Sequence, residues 1–390
     1  MKKLFFLVPI VALAMASCSN SEDAIQTSPV QKNAELKIFP QVTGSTRGVI
    51  QTTANISDFY LIANGKFGES ATDNAATLTI KEYAMAVDKV EGAWTMATPL
   101  YWGDATTSAS FAAFSPKSYS TKYENGKLVN FQPEAAPADQ KDLVVAYNSG
   151  VKTAFSGGVP LHFQHALSQI VVKANYNKNT DDAYASFDDI TVKVKGVKIV
   201  NVDNKGTLTL PTSSTVDSYT ADWSLSGTAN TTYSALFETP ITLGSTSVEI
   251  DNSGANGPML LLPQSQDATT DMSEDNPTGA YIVVSVDIDY AAAKEIDSKN
   301  RFDLYPAPAD PSQAQTEGDG TFADIIVPVN IAWNAGYKYT YTLNFSNIAA
   351  GYQGAGDEKG EPVIAGILTP VTFLVTVESD WTEQNVTPAM

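Results

Sequence analysis

From Ala34 onward, apolar residues fall in short alternating or continuous runs closed by Asn, Gly, Pro or Asp. That pattern has the period of half-buried and fully buried strands. Leu36-Lys37-Ile38 alternates, and Pro40, which lacks an N–H, confines this run to a sheet edge or a strand end. Further strands are predicted at Phe59–Ala63, Ala109–Phe114, Leu143–Tyr147, Ile170–Ala174, Ile190–Val200, Met259–Leu262, Tyr281–Tyr290, Ile325–Ile331, Tyr337–Phe345 and Val371–Val377. In Ile190–Val200 lysines alternate with Val and Ile. Helical signal is confined to a turn opening at Ser57-Asp58-Phe59 and one or two turns at Ala291–Ile296. No repeat of fixed length is visible, which disfavours a propeller or solenoid. Many short strands with frequent turn signals predict β-sandwiches. A break near Gly157–Leu161 divides the chain into an N-terminal sandwich over 34–160 and a C-terminal one over 161–390.

The first 33 residues follow a different rule. Lys2 and Lys3 precede an almost unbroken apolar run from Leu4 to Ala16, and Met15-Ala16-Ser17-Cys18 ends it with small residues and a thiol. A run this short, with a basic start and a small-residue exit, reads as a secretory signal over 1–17 rather than a membrane span. Cys18 at the exit resembles the lipobox of bacterial lipoproteins, in which that cysteine is lipidated and becomes the new N-terminus. Residues 18–33 are polar and aperiodic, as in a flexible tether. Ser21-Glu22-Asp23 fits either a surface-export signal or a solvated linker.

Composition narrows the function. Cys18 is the chain's one cysteine, so no internal disulfide forms and stability rests on packing and strand pairing. A net charge of -19 disfavours nucleic acid as a partner. The only arginines are Arg47 and Arg301, which leaves an arginine-directed protease two places to act.

Candidate chemistry is sparse. His162 and His165 could meet on a helical turn, but a closed metal site needs more ligands, and the segment runs straight into a strand, so a structural role is the better reading. Acidic clusters at Asp181-Asp182, Asp188-Asp189, Asp271–Asp275 and Asp357-Glu358 do not have the spacing of a helix-loop-helix calcium loop. No pair of carboxylates is singled out for glycoside hydrolysis, and there is no nucleophile elbow, phosphate loop or dinucleotide fingerprint. The reading is therefore a non-enzyme with no metal and no cofactor. Trp94, Trp102, Trp223, Trp333 and Trp381 could stack on sugars if exposed, although beside strands core packing is the commoner role.

Several segments in order resemble the fimbrillin-like family, the type V pilins. They are the lipobox ending at Cys18, Ser45-Thr46-Arg47-Gly48, a core strand at Phe59–Ile62, Tyr101-Trp102, Asp142–Ala146, Phe163–Ser168, Leu260–Gln264, Trp333–Tyr339, and Val371–Val377 before Trp381. The resemblance implies an all-β fold of two transthyretin-like β-sandwich domains in tandem, without enzymatic activity. It also implies a lipid-anchored precursor in the cell outer membrane that later joins a fimbrium at the cell surface. An arginine-directed surface protease then cuts between Arg47 and Gly48. The first strand leaves, and a strand from another pilin subunit fills the groove.

The residues accommodate that route. Leu36, Ile38 and Val42 can line one face of a removable strand, with Lys37 and Gln41 on the other. Arg47 lies in a Gly/Ser/Thr-rich stretch of the kind proteases nick. Val371, Phe373 and Val375 are the donor candidates, although little chain follows Trp381. The alternative is a glycan-binding outer-membrane lipoprotein that never polymerises, keeps its N-terminal strand, and meets host or bacterial surface ligands through exposed tryptophans.

Overall fold

The computed structural model describes residues 33–42, 52, 54–155, 157–177, 190–213, 221–227, 231–251, 253, 257–270, 278–296, 299–305, 321–346, 352–353, 372–379 and 382–384. It is an all-β protein, with 27 strands among the described residues and short 3-10 turns at Lys117–Lys122, Pro137–Asp139 and Lys152–Phe155. The signal segment, Cys18, Arg47, Gly48, Val371, Trp381 and the four acidic clusters named above lie outside the described residues.

A seven-stranded sheet organises the N-terminal half, in the order β1 (Ile38–Val42), β11 (Val159–His165), β10 (Val144–Gly150), β7 (Ala109–Ser115), β2 (Asp58–Gly65), β4 (Lys81–Val90) and β5 (Ala93–Met96). β1 is an edge strand, as Pro40 requires. β4 and β5 join through Glu91-Gly92, both with positive φ (51° and 85°), the signature of a two-residue hairpin whose twist matches its strands. At the centre of the sheet, in β2 and β7, both faces carry buried residues. Phe59, Leu61 and Ala63 of β2 belong to one core, which the pair β3 (Phe67–Gly68) and β6 (Tyr101–Trp102) helps to close. Ile62 and Phe114 look to a second core under a four-stranded sheet.

That small sheet joins the two halves. Its order is β15 (Asp222–Leu225), β14 (Gly206–Thr209), β9 (Lys127–Phe131) and β8 (Tyr123–Glu124), so Leu208 pairs with Leu128 across the chain. The strand β11 also straddles the expected division at 160/161 and lies wholly in the first sheet.

The C-terminal half packs two six-stranded sheets face to face. One runs β17 (Val248–Glu249), β12 (Ser168–Tyr176), β24 (Tyr337–Phe345), β26 (Thr372–Ser379), β27 (Thr382–Gln384), with β18 (Met259–Leu261) also on β12. The other runs β16 (Thr231–Thr242), β13 (Ile190–Val202), β20 (Tyr281–Ile296), β22 (Ala323–Pro328), β25 (Tyr352–Gln353), with β21 (Lys299–Tyr305) also on β20. Ile170, Val172, Tyr341 and Leu343 from the first meet Val192, Val194, Val284 and Ile325 from the second in one core. A two-stranded ladder of β19 (Ser265–Gln266) and β23 (Ile331–Ala332) completes the set.

One sequence expectation is corrected. Ala291–Ile296 is strand, not helix. Lys294, Glu295 and Ile296 pair with Arg301, Asn300 and Lys299 in the β20–β21 hairpin, and this pairing at its end overrides the helical preference of the segment. Near Ser57–Phe59 the chain enters β2 directly at Asp58.

The motifs of the sequence analysis converge at the junction of the halves. Gln264 and Trp333 exchange backbone hydrogen bonds of 3.1 and 2.8 Å. Trp333 Nε1 donates to the Tyr341 hydroxyl at 2.9 Å, and the Asn334 N–H donates to the Tyr339 hydroxyl at 2.8 Å. Ser168 Oγ donates to the Asn334 carbonyl at 2.9 Å, and the Gly336 N–H to Leu167 at 2.8 Å. His165 and Asp142 form a buried pair at 2.8 Å. His162 sits three residues away on the same strand, on the opposite face, so the two imidazoles cannot share a metal ion. Among the described residues no group of three metal-ligating side chains occurs.

Candidate strand-exchange site

The segment 33–42 threads between two parts of the N-terminal half. At its start the Asn33 N–H donates to the Ala71 carbonyl at 2.7 Å, and Asn33 Nδ2 to the Asp73 carbonyl at 2.9 Å. The Trp102 N–H donates to the Ala34 carbonyl at 2.9 Å, and the Leu36 N–H to the Leu100 carbonyl at 2.7 Å, bracketing the antiparallel bridge of Glu35 with Tyr101. The chain then joins the other sheet. The Val159 N–H donates to the Lys37 carbonyl at 2.8 Å, and Ile38–Val42 run parallel to Val159–Phe163 in register.

Alternation decides what this segment buries. Leu36, Ile38 and Val42 are 1%, 5% and 8% exposed and belong to the N-terminal core with Phe59, Val87 and Trp102. Lys37 and Gln41 point to solvent, and so does Phe39, which lies over Gly158. Gly158 has φ +126°, and any Cβ there would strike the Phe39 ring. At roughly 1.5–3 kcal/mol per buried aliphatic side chain, Leu36, Ile38 and Val42 together contribute on the order of 5–9 kcal/mol. The segment is thus a substantial part of the core, and among the described residues its strand β1 is paired along one side only.

The donor candidates occupy the opposite half. Phe373 pairs with Leu343, and Val375 pairs with Tyr341 and is half-buried against the C-terminal core. Acceptor and donor candidates therefore lie in different sheets. Sequence reasoning missed the acceptor partners Val159, Leu161 and Phe163 of β11. Their alternation is visible in VPLHFQH, but nothing local announces parallel pairing with residues more than a hundred positions earlier.

Two of the described tryptophans are core residues and two, Trp94 and Trp223, are half-buried against it. Trp102 and Trp333 are buried; Trp94 packs on Phe59 with ring centroids 5.2 Å apart. Trp223 packs on Phe131 and donates from Nε1 to the Ala166 carbonyl at 2.8 Å.

Fold and site together define an all-β subunit with an edge strand wedged into its core. The chain belongs to the fimbrillin-like family, whose model matches residues 41–366. Among solved structures it is similar to a fimbrial protein from Bacteroides vulgatus, at 13% identity and TM-score 0.48, over 89% of this chain and 99% of that one. It is also similar to a fimbrilin from Porphyromonas gingivalis, at 12% identity and TM-score 0.39, over 92% of this chain and 100% of that one. A search of curated proteins finds no match.

Proposed function

We propose that this protein is a surface fimbrial subunit, exported as a lipoprotein on Cys18 and assembled by strand exchange after proteolysis between Arg47 and Gly48. The role is structural and adhesive rather than catalytic. The observation that carries this reading is β1. It is an edge strand whose apolar face is built into the core, and the core it fills would be left open to another chain once it departs. Cleavage would release lipid and strand together, so detachment from the outer membrane and activation for assembly become one event. An arginine-directed surface protease suits a chain with two arginines, one of which, Arg301, lies in the paired strand β21 rather than in a loop. The partner is another pilin subunit, with Val371, Phe373 and Val375 on the donating side. The glycan-binding alternative needs exposed tryptophans; Trp102 and Trp333 are buried, and Trp94 and Trp223 are half-buried against the core.

Incubating the folded precursor with an arginine-specific protease tests the reading. It gives a chain beginning at Gly48 that loses the N-terminal segment and forms higher oligomers. An intact Arg47 in the folded precursor, or a Gly48 product that stays monomeric, would overturn it.

A further inference from the structure

Among the described residues the seven-stranded sheet ends in two edges, β1 and β5, and both line one groove of about 520 Å³. Its floor is apolar, with Leu36 and Ile38 from one wall, Val87 from β4, and Trp94 and Met96 from the other. Its rim carries Lys37 and Lys89 against Glu35, a locally basic edge on a chain of net charge -19.

Backbone direction separates the two walls. In the β4–β5 hairpin, Val90 and Ala93 flank the two-residue turn and form a hydrogen-bonded pair. The next pair, Lys89 with Trp94, is then non-hydrogen-bonded, as is Val87 with Met96. The N–H and C=O of Trp94 and Met96 consequently point away from β4 into the groove. On β1 the outward positions fall on Ile38 and Pro40, and Pro40 has no N–H to offer. β5 is therefore the edge open to pairing, above an apolar floor that would receive alternate side chains.

We propose that this groove is a docking site in the uncleaved precursor for the C-terminal strand of a second copy, released from its own place between β24 and β27 and added along β5 while β1 is still in place. The occupant follows from charge and pattern. In sequence Phe373, Val375 and Val377 alternate with Leu374, Thr376 and Glu378, and residues 371–390 carry Glu378, Asp380 and Glu383 with no lysine or arginine. Such a strand offers apolar side chains to the floor and carboxylates to Lys37 and Lys89. Because residues Glu35 to Pro40 form one wall, docking and departure of β1 act on the same groove, and a partner can be in position before cleavage. This rests on the strand-exchange reading above and adds to it an encounter step.

The test uses the uncleaved precursor carrying Arg47→Ala and a synthetic peptide of residues 371–384. Saturable binding is expected. It should weaken about tenfold or more in the Lys37→Glu/Lys89→Glu variant, whose exposed positions leave folding intact. Two peptides N-methylated on either alternate set of amides report backbone pairing, and one of them should lose binding. Absence of binding to the precursor, or binding indifferent to both the charge reversal and the N-methylation, overturns the proposal. If the precursor fails to bind while the Gly48 product still assembles, the encounter step falls and strand exchange stands.

Discussion

The Leu36 N–H donates to the Leu100 carbonyl across 2.7 Å, and this bond turns the N-terminal segment from one wall of the core toward the other. Leu36 is 1% exposed, so the same residue supplies a backbone anchor and a buried side chain. Leu36→Ala should cost about 2–5 kcal/mol, as cavity-forming core truncations do, whereas Phe39→Ser, on the exposed face of the same segment, should cost about 1 kcal/mol or less. Urea unfolding of both variants measures the contrast. Equal losses would mean that the two faces of the strand do not differ in the way described.

The junction pair gives a second expectation. Asp142 and His165 lie 2.8 Å apart with side chains 0% and 3% exposed. Truncating either partner removes a buried hydrogen bond, and such losses run to about 1–3 kcal/mol. His165→Ala should show a loss of this size in chemical denaturation. A change below about 1 kcal/mol would mean that the pair does not help hold β11 beside β10.

Acid stability should carry the mark of Asp287. Burial is the main cause that raises its carboxyl from 3.8 to about 6, although Lys193 at 3.0 Å pulls the other way and Asp289 adds repulsion. A raised folded value means the native state binds the proton more tightly than the unfolded chain. The contribution, at most about 3 kcal/mol, is fully present below pH about 4 and is lost as pH rises through about 6. Asp287→Asn should flatten the stability profile across that window, which thermal melts at stepped pH would report. An unchanged slope would assign the effect to other groups.

A glycine in the C-terminal half makes a fourth case. Gly196 has φ +153° at the point where the β13–β16 and β13–β20 registers shift, and an added Cβ would meet the Ala235 carbonyl. Gly196→Ala should destabilise by about 1–3 kcal/mol, through the backbone conformation and the clash together. Calorimetry of the variant checks this, and a neutral substitution would mean the bulge relaxes freely.

Local pattern carried most of the strands. Ile190–Val202 is legible because its lysines alternate with core Val and Ile, and β1 is legible as an edge because Pro40 lacks a donor. The polar run KEYAMAVDKV of β4 was not, since only Tyr83 and Val87 are buried and the strand is held by its neighbours. Ala291–Ile296 misleads because Ala, Lys and Glu favour helix by composition, whereas Lys294–Ile296 form one arm of the β20–β21 hairpin with Lys299–Arg301. At the candidate site, the buried face of Leu36, Ile38 and Val42 follows from spacing alone. Its partners Leu100 and β11 do not, because parallel pairing over long separation leaves no local trace.

The claim that strand departure, rather than cleavage itself, sets off assembly can be tested by locking the strand. Gln41 and His162 are register partners on the outer side of β1 and β11. Gln41→Cys/His162→Cys, in a chain with Cys18→Ser, allows a disulfide between neighbouring strands. After digestion by an arginine-specific protease, the oxidised protein should carry a Gly48 terminus yet remain monomeric in light scattering, and reductant should start its assembly. Assembly of the oxidised, cleaved protein at the same rate as the reduced one would contradict the account.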